Sequence, residues 1–598
     1  MPLPASGVSP LKELTAPGPN KAPLVIALSV FAQLMAWLIW HAYTTCEGNW
    51  VYTMDDTYIH MAIARNFAEH GIWGMTVHEF SNNSSGPLYT LLLSLWYKFA
   101  GPGIYAPLIF NLLCAPACIY ILFRNLSRTA EGGIPVFGSS KAINKFSGNI
   151  NAPDAAVPET RVSLTLKTIV LLMAMGGGSV AVNTLSGMEH VPQLLLNLLF
   201  INVCVNIISK ENPEPRDYAL LALFAMGIGS IRFEGMFLGA AACLPMLLRK
   251  RYAAIAVIII GVGIPVITLG IYSLGQGSMF LPNSVLVKAR PFDLSSLEGF
   301  FNTTGLFYAL HAPNIVVPMA LSVIILFIRY RGGRLTFSAG NLYLYFVVAL
   351  SVSLILTAYP AAHRYQSWLI AFSIVSVWIN RHTLATLFVF RNIVFRFAAL
   401  AIIIFPWAWR TYVSIWLAQG ASANIYGQQY QMAKFVKQYY PFNTIAANDI
   451  GLICFLNPEV KLFDMFGLAT ISVARTKMQH PMNAQALDSL ARIAGVDISM
   501  FYRGWINTDY YRNMYFGGAF YLQNNLVCGS DEVVFFAAKQ ADQAKLQADL
   551  KAFAPQMPAN AELVKADTYE DFNKLFPRDE SGYQMRQHYK SQLPPKPE

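Results

Sequence analysis

The sequence predicts a polytopic α-helical membrane domain followed by a C-terminal α/β domain. Three observations carry that expectation. Of the 598 residues, 55% are hydrophobic and only 13% are charged, a balance too apolar for an ordinary soluble chain. Apolar runs recur from Ala22 to Trp416, separated by short basic clusters. Beyond Trp416 these runs stop, and Asn, Gln, Asp and Lys become frequent.

A helix needs about 20 apolar residues to cross a bilayer. In chain order, eleven spans are expected: Ala22–Tyr43, Pro102–Phe123, Leu164–Thr184, Val191–Ile208, Tyr218–Ser230, Phe233–Leu248, Ala253–Leu274, Ile315–Ile328, Leu342–Tyr359, Ser367–Trp378 and Ile393–Trp416. The first follows Lys12 and Lys21, exceeds a signal-peptide core in length and lacks a clear cleavage site, so it reads as an uncleaved span with a cytoplasmic N-terminus. The apolar run Gly86–Ala100 is better treated as a half-embedded juxtamembrane helix. Counted as a span, it would place the basic loop Arg124–Arg161 outside, against the positive-inside rule.

With that choice the clusters Lys210/Arg216, Arg249/Lys250/Arg251, Arg329/Arg331/Arg334 and Arg381/Arg391/Arg396 also fall in the cytoplasm. The net charge of +10 is then dispersed for membrane orientation, and nucleic acid is not an expected partner. The chain divides into a cytoplasmic tail (1–21), a membrane domain (22–416) and an extracytoplasmic domain (417–598).

In the last of these, an amphipathic segment Tyr430–Tyr439 precedes Pro441, a strand-like run Thr444–Ala447, a turn at Asn448 and Asp449, and a second strand-like run Val460–Asp464. The aromatic-rich stretch Met500–Gln523 reads first as packed core and second as a set of flat surfaces for sugars. The seven cysteines show no CxxC pattern. Cys454 and Cys528 are either a disulfide or two buried thiols. The polar end from about Phe576 reads as a loosely packed tail.

The topology brings the unusual polar residues to the outer face: Asp55 and Asp56, the run SGMEH with Glu189, the run RFEG with Arg232 and Glu234, Asn283, Lys288, and Arg364 within HRY. Ionisable groups at membrane depth are costly and mark sites or pathways. Asp55 and Asp56 open an amphipathic helix that Gly71 stops, which makes helix capping the plain alternative to catalysis. Capping is likewise open to Glu189, an ion pair across the hairpin to Arg232 and Glu234, and interfacial snorkelling to Lys288 and Arg364. Asp56 and His60 share a helical face at i and i+4, too few groups to specify a metal. A divalent metal is left open, and no cofactor is specified.

The runs DDTYIHMAIARNFAEHG, SSGPLYTLLLS, LSGMEH, IRFEG, LPNSVLVK, HRY, AANDIGLICF and LFDMFGL together resemble the GT-C superfamily of membrane glycosyltransferases, in particular its bacterial arabinofuranosyltransferase-like branch. HRY and the long basic insertion Arg124–Arg161 depart from the pattern. The resemblance implies a multi-pass protein of the bacterial plasma membrane with a polyprenyl-phosphate-linked sugar as donor, possession of a glycan or glycoprotein acceptor, and inverting transfer outside the cell. It implies a catalytic carboxylate at Asp55 or Asp56; between the two the choice is open, and Asp55 is slightly preferred here. Lys288, Arg364 and Arg232 would meet the donor phosphate; Glu189, Glu234, Asn283 and His60 would meet the sugar or the acceptor. A transporter of an anionic or lipid-linked substrate is the competing class, and a membrane-anchored sensor is a third.

Overall fold

The computed structural model describes residues 20–128, 161–287, 296, 312–356, 364–387, 393–479, 484–506 and 508–577. Among them, seven helices rather than eleven are long and apolar enough to cross a membrane: Ala22–Thr45, Ala106–Leu126, Ser163–Ser186, His190–Ser209, Tyr252–Gly275, Pro313–Arg331 and Val394–Tyr439. The other four expected segments are helical but short: Pro215–Ile231, Gly235–Leu248, Ala339–Leu356 and Ser367–Ile379. The shortest has 13 residues, which at 1.5 Å per residue rises only about 20 Å against a hydrocarbon core of about 30 Å. Hydropathy registers apolar residues but not the elbows between them. Arg232 is one such elbow, in extended conformation between Pro215–Ile231 and Gly235–Leu248.

The first loop folds as expected into two helices, Asp56–His70 and Pro87–Ala100, packed on each other. Gly71 stops the first in a left-handed conformation with φ 71°. That helix is buried on more than one face, because Tyr58, His60, Met61, Ala62 and Ile63 are all shielded. The helix Gly451–Leu456 of the C-terminal domain covers part of it.

The chain enters the C-terminal domain without a break. The helix Ile393–Ile425 passes through a π-helical turn, Tyr426–Tyr430, into Gln431–Tyr439, so the boundary expected at 416/417 lies inside one continuous rod. A six-stranded mixed sheet follows, in the order β2-β1-β3-β5-β4-β6. Its strands are β1 (Thr444–Ala447), β2 (Lys461–Asp464), β3 (Ile498–Tyr502), β4 (Tyr515–Leu522), β5 (Glu532–Ala537) and β6 (Ala561–Leu563). β1 pairs in parallel with β2 and β3; the remaining pairings are antiparallel.

Alternation along the strands gives the sheet two apolar faces. Ile445, Met500 and Phe535 join a core continuous with the membrane helices, whereas Ala446, Phe501 and Phe536 pack into a separate cluster under the outer helices. Cys454 and Cys528 are both free thiols.

Candidate active site between the membrane helices and the sheet

Asp55 stands at the N-cap position of the Asp56–His70 helix but makes no side-chain bond to it. Its carboxylate instead accepts from the backbone amides of Gly451 at 2.7 Å and Leu452 at 2.8 Å. Capping, the plain expectation for an Asp here, thus occurs on a helix nearly four hundred residues away in sequence. The approach leaves no room for a side chain: a Cβ at Gly451 would lie 2.2 Å from the Asp55 carbonyl oxygen.

Burial, and next the neighbouring Asp449 carboxylate, push the Asp55 carboxyl above the ordinary range, with the two amides offsetting part of the rise. Burial raises Asp449 as well. A carboxyl whose folded value is raised holds its proton more tightly folded than unfolded, so stability falls as pH rises above the unfolded value near 4. Melting temperature is therefore expected to drop between pH 5 and pH 8.5, and Asp55→Asn is expected to flatten the slope. Equal slopes in both proteins would refute the assignment.

Asp56, next in sequence, points to other partners. Its Oδ2 lies 2.7 Å from Arg364 Nη1, and Asp56 is 35% exposed where Arg364 is 15%. The Arg364 guanidinium sits 4.9 Å from the Tyr365 ring centroid, and Arg232 sits 4.8 Å from the same ring. Tyr365 therefore links two cationic groups through its π system.

Arg232 is the centre of a buried polar knot. It pairs with Glu189 and, at 2.7 Å, with Glu234. Glu189 Oε2 also lies 3.3 Å from His60 Nε2, and His60 Nδ1 bonds to Thr90 Oγ1 at 2.8 Å. Glu189 occupies the N-cap position of the His190–Ser209 helix without capping it, having been drawn into the knot. The expected ion pair of Arg232 with Glu234 is present, enlarged by a third partner. His60 bonds to Glu189 and Thr90, and Asp56 pairs with Arg364; among the described residues no group of three or more His, Cys, Asp or Glu gathers as a metal site would require.

Two openings meet at Asp56. The larger, a cavity of about 490 Å³, lies between the membrane helices and the sheet and is bordered by Asp55, Asp56, Ser186, Arg364, Asp449 and Trp505. The smaller, about 40 Å³, is bordered by Asp56, His60, Arg232, Glu234, Ser284 and Tyr365. Asn283 is fully buried beside it, its backbone amide donating to the Asn82 carbonyl at 2.7 Å. Among the described residues neither polar atom of its side chain has a hydrogen-bond partner. Lys288 and His363 lie outside the described residues.

The C-terminal domain supplies groups that the motif reading did not single out. Asp449 Oδ2 accepts from Tyr502 Oη at 2.5 Å and from Gln429 Nε2 at 2.7 Å. Cys528 Sγ lies 3.5 Å from Gln429 Oε1. The only signal for Asp449 was the turn after a short strand, in the run AANDIGLICF.

The fold and site define a polytopic α-helical membrane protein whose C-terminal α/β domain closes a charged cavity against the membrane helices. Residues 423–557, which enclose β1 to β5, match a family described as a domain of unknown function (DUF8728). No curated protein matches the chain. Among solved structures, the chain is similar to ArnT from Cupriavidus metallidurans bound to undecaprenyl phosphate, with 11% identity over 87% of this chain and 99% of that one and a TM-score of 0.49. It is also similar to the archaeal oligosaccharyltransferase AglB from Archaeoglobus fulgidus in complex with an inhibitory peptide and a dolichol-phosphate, with 12% identity over 92% of this chain and 76% of that one and a TM-score of 0.43.

Proposed function

We propose that the protein is a GT-C-type membrane glycosyltransferase. It moves a sugar, arabinofuranose among the candidates, from a polyprenyl-phosphate donor to a hydroxyl of a glycan or glycoprotein on the extracytoplasmic side. The observation that carries the reading is the partly exposed Asp56 carboxylate, paired with Arg364 at 2.7 Å, at the junction of two openings beside the membrane helices. The run DDTYIHMAIARNFAEHG offers either Asp55 or Asp56 for this role, and the commitment of both Asp55 oxygens to backbone amides favours Asp56.

In this reading the acceptor oxygen bonds to the anomeric carbon while the bond from that carbon to the phosphate oxygen breaks. The electron pair leaves with the polyprenyl phosphate, and the acceptor proton passes to Asp56. Arg364 releases the carboxylate as it takes up the charge of the departing phosphate, a fixed cation placed where negative charge develops. Arg232 acts through Tyr365, holding that ring against Arg364. Lys288 is a further cation for the donor phosphate in this proposal, and Glu189, Glu234, Asn283 and His60 shape the sugar side of the smaller opening. Asp55, whose two oxygens are taken by backbone amides, fixes the loop that presents Asp56.

The test uses purified protein in nanodiscs with polyprenyl-phosphate-linked sugars, arabinofuranose among them, and follows release of polyprenyl phosphate. Release that depends on a hydroxyl acceptor is expected. No release from any donor, together with movement of the labelled lipid-linked sugar across sealed liposomes, would replace the transferase with a transporter.

A further inference from the structure

The sheet presents its own surface to the larger cavity. The chain leaves β1 for β2 on one side and then crosses to β3 on the other, so β1 lies between its two parallel partners. Where connections diverge in this way, a crevice opens outside the carboxyl ends of the strands, and α/β sheets bind ligands there. Here the crevice holds Asp449, just past β1, and Trp505, just past β3, and both border the cavity that Asp56 also borders.

The aromatic stretch that begins at Met500 divides sharply in the structure. Phe501, Tyr502, Tyr510, Tyr511, Phe516 and Phe520 are core, while Trp505 is 50% exposed. Its indole is nevertheless held in place. Tyr502 meets it edge-on with centroids 5.1 Å apart, and Phe466 lies at 6.1 Å on a loop that the buried Asp464 carboxylate ties down through the amides of Phe466 and Ala469. The backbone of Gly529 also abuts the ring, since a Cβ there would come within 2.5 Å of it.

Asp449 is fixed in a similar way. Tyr502 and Gln429 both bond to Oδ2, and Oδ1 has no hydrogen-bond partner among the described residues. A rigid, half-exposed indole and an available carboxylate oxygen on the border of one cavity are the chemistry that recognises a sugar: the C–H face packs on the ring, and hydroxyls donate to the carboxylate. The cavity volume of about 490 Å³ is in the range of small-molecule sites.

We propose that Trp505 and Asp449 form a sugar subsite for the acceptor, so that the C-terminal domain holds the glycan whose hydroxyl reaches Asp56. The role relative to Asp56 rests on the transferase reading; sugar binding at the crevice does not. The test measures binding of methyl glycosides of arabinofuranose, galactose and glucose to the full chain in nanodiscs by saturation-transfer NMR.

At least one glycoside is expected to bind the wild type, and Trp505→Ala to weaken it about tenfold or more, a stacking contribution of roughly 1.4 kcal/mol. Trp505→Phe should recover much of the affinity, and Asp449→Asn should weaken binding while leaving the C–H signature of stacking. In transfer assays Trp505→Ala should raise the KM for acceptor and not for donor. No glycoside binding by wild type, equal binding by Trp505→Ala, or a rise in donor KM alone would overturn the subsite. Absence of transfer in the presence of intact, Trp505-dependent glycoside binding would instead overturn the transferase reading.

Discussion

Asp56→Asn is expected to reduce sugar transfer by at least about a hundredfold, the low end of what removing a general base costs. The amide keeps the size of the side chain and an oxygen for Arg364 to bind at the position where the carboxylate lies 2.7 Å from Nη1, but it cannot take a proton. Folding should therefore change little, and melting temperature provides the control. Asp55→Asn makes the contrast, because both Asp55 oxygens accept backbone amides. Its effect should appear in melting temperature and its pH dependence more than in the chemical step. The comparison uses single-turnover transfer at saturating donor for both proteins. A profile in which Asp55→Asn abolishes chemistry and Asp56→Asn is tolerated would reverse the assignment.

The second large effect is expected at Arg232. Arg232 is 2% exposed, and its guanidinium serves the fully buried Glu189 and the carboxylate of Glu234. Arg232→Met leaves the Glu189 charge buried without its principal counter-ion, a defect that costs about 3–5 kcal/mol when one partner of a buried pair is removed. Low yield and a strongly reduced melting temperature should follow. Adding Glu189→Gln removes the stranded charge, so the double variant is expected to recover a substantial part of the loss. A double variant less stable than Arg232→Met would show that Glu189 is not what the arginine neutralises.

Much of this architecture is legible in the sequence where the signal is local. Each of the eleven apolar runs is helical over most of its described residues, β1 falls on Thr444–Ala447 as expected, and the amphipathic Tyr430–Tyr439 segment is helical from Gln431. Helix length is less legible, because a run of apolar residues does not reveal that Arg232 will adopt an extended conformation and leave 17- and 14-residue helices on either side.

The site is legible in its members but not in its pairings. RFEG displays Arg232 beside Glu234, yet nothing nearby in the chain indicates that Glu189 completes the knot. Asp55 reads as a cap because Asp favours caps, but only tertiary docking decides that the capped amides belong to Gly451 and Leu452. Asp449 and Trp505 were hidden for a similar reason: an ordinary turn and one member of an aromatic stretch acquire meaning only when the sheet ends at the cavity.

The adjacency of Asp55 and Asp56 has a mechanical consequence. Consecutive Cα atoms are about 3.8 Å apart, so the residue that clasps the C-terminal domain and the residue that faces the cavity move as one. Lifting that domain to admit a long substrate from above would drag the proposed base out of register with Arg364. A chain fastened in this manner favours loading from the side, with the polyprenyl tail of the proposed donor staying among the membrane helices while only its head group slides beneath a roof that remains shut.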